Sequence, residues 1–175
     1  TVSPTAGPAA EAISSAGSIP AVVPGTIHTD LMAAGLIPDP YQDRNEAALT
    51  WIGECDWTWA TRLPPIPSLA ERVDLVFDGV DTVATVRLDG HDVLRTANQH
   101  RSYRVDVTEQ LREGDQQLLE VEISSPVRYA DAQSLALGYR PQVNQHPYPA
   151  IRKNGVQFRL GLGPRPGDRG TVGGP

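Results

Sequence analysis

Short runs of alternating apolar and polar residues, separated by turn residues, constrain this chain more than any other feature. Val83–Leu88 alternates in this way, Asp89-Gly90 follows, and His91–Thr96 can pair back across that turn. An Asp-Gly pair between two such runs is a strong hairpin signal, because both residues tolerate the positive φ that the tight turn requires. Runs of the same kind are Asp56–Leu63, Arg72–Phe77, Ser102–Val107 and Leu118–Ile123. Regularly spaced short strands predict an all-β sandwich or barrel.

The clearest helical pattern covers residues 26–34. Thr26 can cap the helix, and Ile27, Leu31 and Ala34 would share one face. A glycine directly after this segment and two nearby prolines then end the helix.

Other segments give weaker signals. Residues 43–52 are predicted to form a second helical turn with Asp43 as its cap, and residues 127–137 a short helix outside the sheet. Residues 1–20 are small and weakly patterned, which predicts a short edge strand followed by a loop.

Composition narrows the class of protein. The chain has 16 Gly and 16 Pro among 175 residues, which favours many turns over long helices. A net charge of −6 without a basic stripe argues against nucleic-acid binding. The single cysteine, Cys55, cannot form an internal disulfide and is interpreted as a buried structural thiol. No apolar stretch is long enough to span a membrane, and the lack of a visible signal peptide favours a cytoplasmic protein.

Several longer blocks of the sequence indicate which protein family the chain resembles. The first reads VPGTIHTDLMAAGLIPDPY and runs from Val23 to Tyr41. The others are Asn45-Glu46, Trp51-Ile52-Gly53 with Asp56-Trp57, Asp78–Val86, Tyr103–Thr108, His146-Pro147-Tyr148 and Ile151-Arg152-Lys153. Together these blocks resemble the N-terminal domain of glycoside hydrolase family 2, over residues 18–158. The first and last blocks resemble the β-mannosidases of that family in particular.

The resemblance implies a jelly-roll β-sandwich of the galactose-binding-domain type, with one or two short peripheral helices, over residues 1–158. In this family both catalytic glutamates belong to a downstream (β/α)8 barrel. The resemblance therefore implies a non-catalytic domain that hydrolyses nothing on its own and requires no cofactor. Its implied partner is the absent catalytic barrel, and it is expected to bind carbohydrate only weakly if at all. The parent reaction it implies is the hydrolysis of terminal, non-reducing β-D-mannose residues.

The family pattern breaks after Phe158. The family continues with a Trp-Asp motif that helps to hold the terminal mannose, and this motif would fall at Leu160 and Gly161. One nucleotide inserted after the codon of Phe158 is compatible with the change, through a real lesion or a sequencing error. Residues 159–175 are therefore predicted to be a frameshifted, disordered tail. A genuine, diverged Gly/Pro-rich tail is the alternative.

Charged side chains give few candidates for sugar chemistry. Arg152 and Lys153 precede the break, and we expect them to orient that loop or to meet the barrel, with a direct sugar contact as the alternative. The glutamates fall on turns, loops and a polar strand face, where solvated surface is the expected role. These are Glu46, Glu54, Glu71, Glu109, Glu113, Glu120 and Glu122. No catalytic residue and no metal site is predicted.

Histidine and tryptophan leave alternatives open. His28 lies in the first block, and its ring is expected to fix the loop rather than to bind a ligand. Trp57 and Trp59 share one strand face, which predicts core packing for at least one of them. A stand-alone carbohydrate-binding module would instead present these rings to solvent. A general interaction domain would show a sizeable exposed apolar patch, which a separated barrel interface would also leave.

Overall fold

The computed structural model describes residues 1–8, 13, 15–66 and 71–138, and these fold mainly into antiparallel β-sheet. Five strands form one sheet in the order β1-β2-β7-β4-β5, and two form a second sheet, β3-β6. The strands are β1 (Val2–Ala6), β2 (Asp56–Arg62), β3 (Asp74–Phe77), β4 (Val83–Leu88), β5 (His91–Ala97), β6 (Tyr103–Asp106) and β7 (Leu118–Ile123). The predicted strands are all present, and β1 is the expected edge strand.

The helices are short and lie outside the sheets. They are α1 (Ile27–Ala33), α2 (Asn45–Ala48), a 3-10 helix (Thr50–Glu54) and α3 (Pro126–Leu137). The prediction that Asp43 caps the second helix was wrong. Asp43 has a φ of 47°, which places it in a turn, and Arg44 occupies the cap position without a side-chain cap bond. Within the described residues, no helix has the length and apolar character needed to cross a bilayer.

The strand register puts the apolar residues of the large sheet on one face. Trp57 is paired with Ile123, and Ile123 is paired on its other side with Ala84. Val86 and Leu88 follow Ala84 at alternate positions, and all three are buried. Successive side chains of a strand point to opposite faces, so this alternation commits one face to the interior.

The predicted hairpin joins β4 to β5. Asp89 has a φ of 48° and Gly90 a φ of 80°, as the tight turn requires. The Asp89 carboxylate also accepts a hydrogen bond from the backbone N–H of Leu118, 2.8 Å away. The turn residue therefore helps to hold the start of β7 beside the hairpin.

Two apolar clusters stabilise the fold. One lies between the sheets, centred on Leu88, Val107 and Leu111. The other joins α1 and the 3-10 helix to β1 and β2, and includes Leu31 and Trp57. Cys55 belongs to this second cluster and is only 1% exposed, as expected for a structural thiol.

Helix α3 is attached to the sheet at its first turn. Ser125 caps it by accepting a hydrogen bond from the N–H of Arg128. The Ser125 hydroxyl donates to the Gly53 carbonyl at 2.7 Å, and its N–H donates to the Asp56 carboxylate at 2.6 Å. Arg128 forms an ion pair with the other oxygen of Asp56. The start of α3 is thus fixed to the start of β2.

Candidate functional site

The residues singled out at the end of the chain lie outside the described residues. Arg152 and Lys153, and the positions Leu160 and Gly161, all fall beyond Gly138. Their expected roles, and the predicted tail at 159–175, therefore stay predictions.

The tryptophans of β2 face the interior. Trp57 is 4% exposed, and its indole N–H donates to the Ile52 carbonyl at 3.0 Å. The Trp51 ring lies 6.3 Å from the Trp57 ring in a tilted arrangement, and Trp59 packs against the same cluster. The prediction of core packing is confirmed, and this strand face does not form an aromatic platform for sugar.

Charged residues occupy the outer face of the large sheet. Arg87 forms ion pairs with Asp92 on β5 and Glu122 on β7, and Arg95 pairs with the same Asp92. Hydrogen bonding with Glu122 raises the pKa of Arg87, and hydrogen bonding with Arg95 lowers the pKa of Asp92. Glu122 is therefore part of a solvated charge network, in line with its predicted place on a polar strand face.

Two carboxylates lie opposite each other on the small sheet. Asp74 on β3 is paired in register with Asp106 on β6, and both approach Arg72. Hydrogen bonds from Arg104 and Arg72 hold the pKa of Asp74 below its usual value. Hydrogen bonds from the hydroxyl and N–H of Thr108 lower the pKa of Asp106. In both carboxyl groups these bonds favour the ionised form.

Helix α1 begins with reciprocal caps. The Thr26 hydroxyl accepts from the N–H of Thr29, and the Thr29 hydroxyl accepts from the N–H of Thr26. One oxygen of Asp30, which is 4% exposed, accepts from the N–H of Val22 at 3.2 Å. The loop that precedes α1 is therefore bonded to the helix that it leads into.

The ring of His28 is buried on the inner side of α1. It is 2% exposed, and neither ring nitrogen has a hydrogen-bond partner among the described residues. Burial lowers its pKa from 6.5 to about 4, because desolvation disfavours the charged imidazolium. The ring is therefore neutral at pH 7 and contributes by packing rather than by an ion pair.

The outer side of α1 and the segments beside it carry no charge and expose several apolar side chains to solvent. Met32 is 41% exposed and Leu36 is 39% exposed, while Val22 and Val23 in the preceding loop are 69% and 79% exposed. These four residues, with the exposed Ala33, are called the α1 surface below.

A defined turn places Leu36. The N–H of Leu36 donates to the Leu31 carbonyl, and that of Gly35 donates to the Met32 carbonyl. Gly35 has a φ of 70°, so this is a Schellman turn. Ala34 is exposed, contrary to the predicted face, because it is the C-cap residue beyond the last helical position.

Sequence reasoning did not identify the α1 surface. The sequence does contain a signal for this surface, since residues 15–38 contain only two titratable side chains, His28 and Asp30.

Within the described part of the chain, no three His, Cys, Asp or Glu side chains are grouped closely enough to hold a metal ion.

Comparisons with known sequences find relatives of one kind. Residues 9–172 match the family described as the glycosyl hydrolase 2 galactose-binding domain-like family. β-Mannosidase A of Emericella nidulans is 44% identical over 99 residues, which are 55% of this chain and 10% of that protein. The β-mannosidase of Rattus norvegicus is 38% identical over 120 residues, 67% of this chain and 13% of that protein. The chain thus spans about a tenth of the length of these relatives.

A solved structure agrees with the sequences. The β-D-mannosidase from Dictyoglomus thermophilum superposes with a TM-score of 0.75 and 29% identity, over 79% of this chain and 17% of that one. The predicted β-sandwich class is confirmed, with its antiparallel sheets and few short helices. The chain therefore belongs to the galactose-binding domain-like family of glycosyl hydrolase 2, as a β-mannosidase-like N-terminal domain.

Proposed function

We propose that this chain is the non-catalytic N-terminal domain of a β-mannosidase, with the catalytic domain of the same enzyme as its partner. The parent reaction is the hydrolysis of terminal, non-reducing β-D-mannose residues from β-D-mannosides. The domain itself serves as scaffold and does not cleave the substrate.

The observation that carries this proposal is the share of each relative that the chain matches. Its match is 10% of the E. nidulans β-mannosidase and 13% of the rat enzyme. A (β/α)8 barrel of the kind that holds the catalytic pair in this family typically needs about 250 residues. The matched region is a sandwich of much smaller size, which supports a role beside the reaction rather than in it.

The electrostatics of Asp74 and Asp106 also support a non-catalytic role. A retaining glycosidase needs two carboxyl groups about 5–5.5 Å apart, one of them protonated so that it can act as the general acid. Asp74 and Asp106 are an opposed pair, but hydrogen bonds lower the pKa of both. Neither is suited to donate a proton to a leaving group near neutral pH.

A stand-alone carbohydrate-binding module is less well supported. Such a module would present flat aromatic rings to solvent, and Trp57 is instead 4% exposed and bonded within the core. Titration calorimetry of the chain with mannose and mannobiose checks this point, and we expect no measurable heat of binding.

The proposal is tested with a chimera. The structurally matched residues of the D. thermophilum β-mannosidase are replaced by those of this chain, and hydrolysis of p-nitrophenyl β-D-mannoside is measured. We expect the chimera to be active and the isolated 175-residue chain to give background rates. Turnover by the isolated chain, or a folded chimera without activity, contradicts the proposal.

A further inference from the structure

We propose that the α1 surface is the face on which this domain docks against the catalytic part of its parent enzyme. This inference rests on the proposed function, and it assigns the partner to a particular set of residues. Those residues are Val22, Val23, Met32, Ala33 and Leu36, all of them exposed.

The first support is the absence of exposed charge. Across residues 15–38 the only titratable side chains are His28 and Asp30, and both are buried. Every solvent-exposed position in that stretch therefore carries an uncharged side chain or none. Depletion of charged residues is typical of the buried centre of a protein interface, and is unusual for a surface that remains in water.

The second support is the concentration of apolar groups. Among the described residues, eight large hydrophobic side chains are exposed, and five of these fall between residues 22 and 41. Met32 lies in the last turn of α1, and Leu36 directly follows the turn at Gly35 that ends the helix. The exposed apolar groups are therefore concentrated in α1 and its flanking segments rather than scattered along the chain.

The third support is that the surface is rigid before it meets a partner. The caps at Thr26 fix the start of α1, the bond from Val22 to Asp30 fixes the preceding loop, and the turn at Gly35 fixes Leu36. A surface that is already ordered loses little conformational entropy on association. Apolar contacts on it can therefore contribute fully to docking.

The occupant follows from the amount of chain that the relatives have beyond the match. The chain corresponds to 17% of the D. thermophilum enzyme, so four-fifths of that protein is available to cover the domain. Interfaces between parts that never separate are more apolar than those of transient partners. The charge-free α1 surface fits a permanent contact within one long chain better than it fits a passing partner.

Hydrogen exchange tests the proposal without any substitution. Amide exchange is measured for the isolated chain and for the folded chimera described above. We expect residues 22–36 to exchange at least tenfold more slowly in the chimera, while residues 91–97 of β5 change little. Equal exchange of residues 22–36 in the two proteins overturns the inference.

Matched substitutions sharpen the test. Met32→Glu with Leu36→Glu places two charges on the α1 surface, and Val76→Glu places one on the charged outer face of β3, where Val76 is 51% exposed. In the chimera we expect only the double variant to lose the protection of residues 22–36. If both variants behave alike, the α1 surface is not the docking face.

Separate readouts distinguish the two proposals. A chimera that lacks β-mannosidase activity but protects residues 22–36 supports the docking face and contradicts the proposed function. An active chimera in which residues 22–36 are not protected supports the proposed function and contradicts the docking face. Sedimentation of the isolated chain checks for a second copy, and a dimer that Met32→Glu with Leu36→Glu dissociates overturns the proposed occupant.

Discussion

The large sheet and helix α1 distribute polarity in opposite ways. On β4, Val86 and Leu88 are buried, while Arg87 lies between them on the outer face and pairs with Glu122. On α1 the ionisable residues His28 and Asp30 are buried, and Met32 is exposed.

This contrast shows that the exposed faces of the sheet and of α1 meet two different requirements. The sheet follows the pattern of a surface that stays in water, with apolar residues inside and ion pairs outside. Helix α1 keeps Leu31 in the core but accepts two buried polar side chains, at the cost of their desolvation. Its exposed side follows the pattern of an interface. The following expectations test this difference, in order of decreasing effect.

The largest effect is expected at Leu31. It is 0% exposed in the cluster between α1 and the sheet, so Leu31→Ala should lower the free energy of unfolding by about 4 kcal/mol. Leu36→Ala is the matched control and should cost less than about 1 kcal/mol, because Leu36 is already 39% exposed. Urea denaturation of the isolated chain measures both. Equal losses would mean that Leu36 is part of the core and that the polarity contrast is false.

The next effect is the pH dependence contributed by His28. Its pKa is about 4 when folded against 6.5 for the free side chain, so the unfolded state binds a proton first as the pH falls. The stability from this residue is complete above pH 6.5 and is lost between pH 6.5 and about pH 4. The loss is about 3 kcal/mol at about 1.4 kcal/mol per pKa unit.

Variants isolate this effect from that of other groups. His28→Leu should flatten the stability profile between pH 6.5 and about pH 4, while His100→Gln, at an exposed histidine, should leave its shape unchanged. Denaturation midpoints across that range provide the measurement. A wild-type profile that already coincides with that of His28→Leu would show that the ring is not held neutral in the fold.

A smaller effect is expected where α3 joins the sheet. Ser125→Ala removes the cap of α3 and the hydroxyl bond to Gly53, and should destabilise the domain by about 1–2 kcal/mol. Ser124→Ala is the control, because Ser124 donates to the Val83 carbonyl through its backbone N–H, which alanine keeps. Thermal unfolding by circular dichroism compares the two. Similar melting temperatures would contradict the anchoring role.

The smallest effect is expected on the outer face of the sheet. Glu122→Gln weakens the pair with Arg87, whose side chain is 32% exposed, and should cost about 0.5 kcal/mol. The difference from wild type should shrink further in 1 M salt, because exposed charges are screened. A loss above about 2 kcal/mol that does not respond to salt would show that this face is covered rather than solvated.

Much of the fold could be predicted from local patterns. The strands around the Asp89-Gly90 turn, the Thr26 cap and the burial of Trp57 all follow from alternation, turn chemistry and capping. Each of these features depends on residues that are close together in the sequence, so the sequence alone contains both the pattern and its physical cause.

The inverted polarity of α1 could not be predicted in the same way. Nothing local indicates that Asp30 is buried, because its partner is the backbone N–H of Val22 in a preceding loop. The opposed carboxylates of Asp74 and Asp106 depend on the register between strands that are distant in the sequence. The proposed role as a non-catalytic domain of a β-mannosidase has no local signal among these residues, and it was predicted only from the resemblance.

The attachment of α3 at its first turn has a mechanical consequence. Twelve helical residues extend about 18 Å from the anchor at Ser125 to the far end, where Leu135 is 88% exposed. A tilt of about 10° at the anchor would displace the far end by about 3 Å. The hydrogen bonds at Ser125, Gly53 and Asp56 therefore set the direction in which α3 extends from the start of β2.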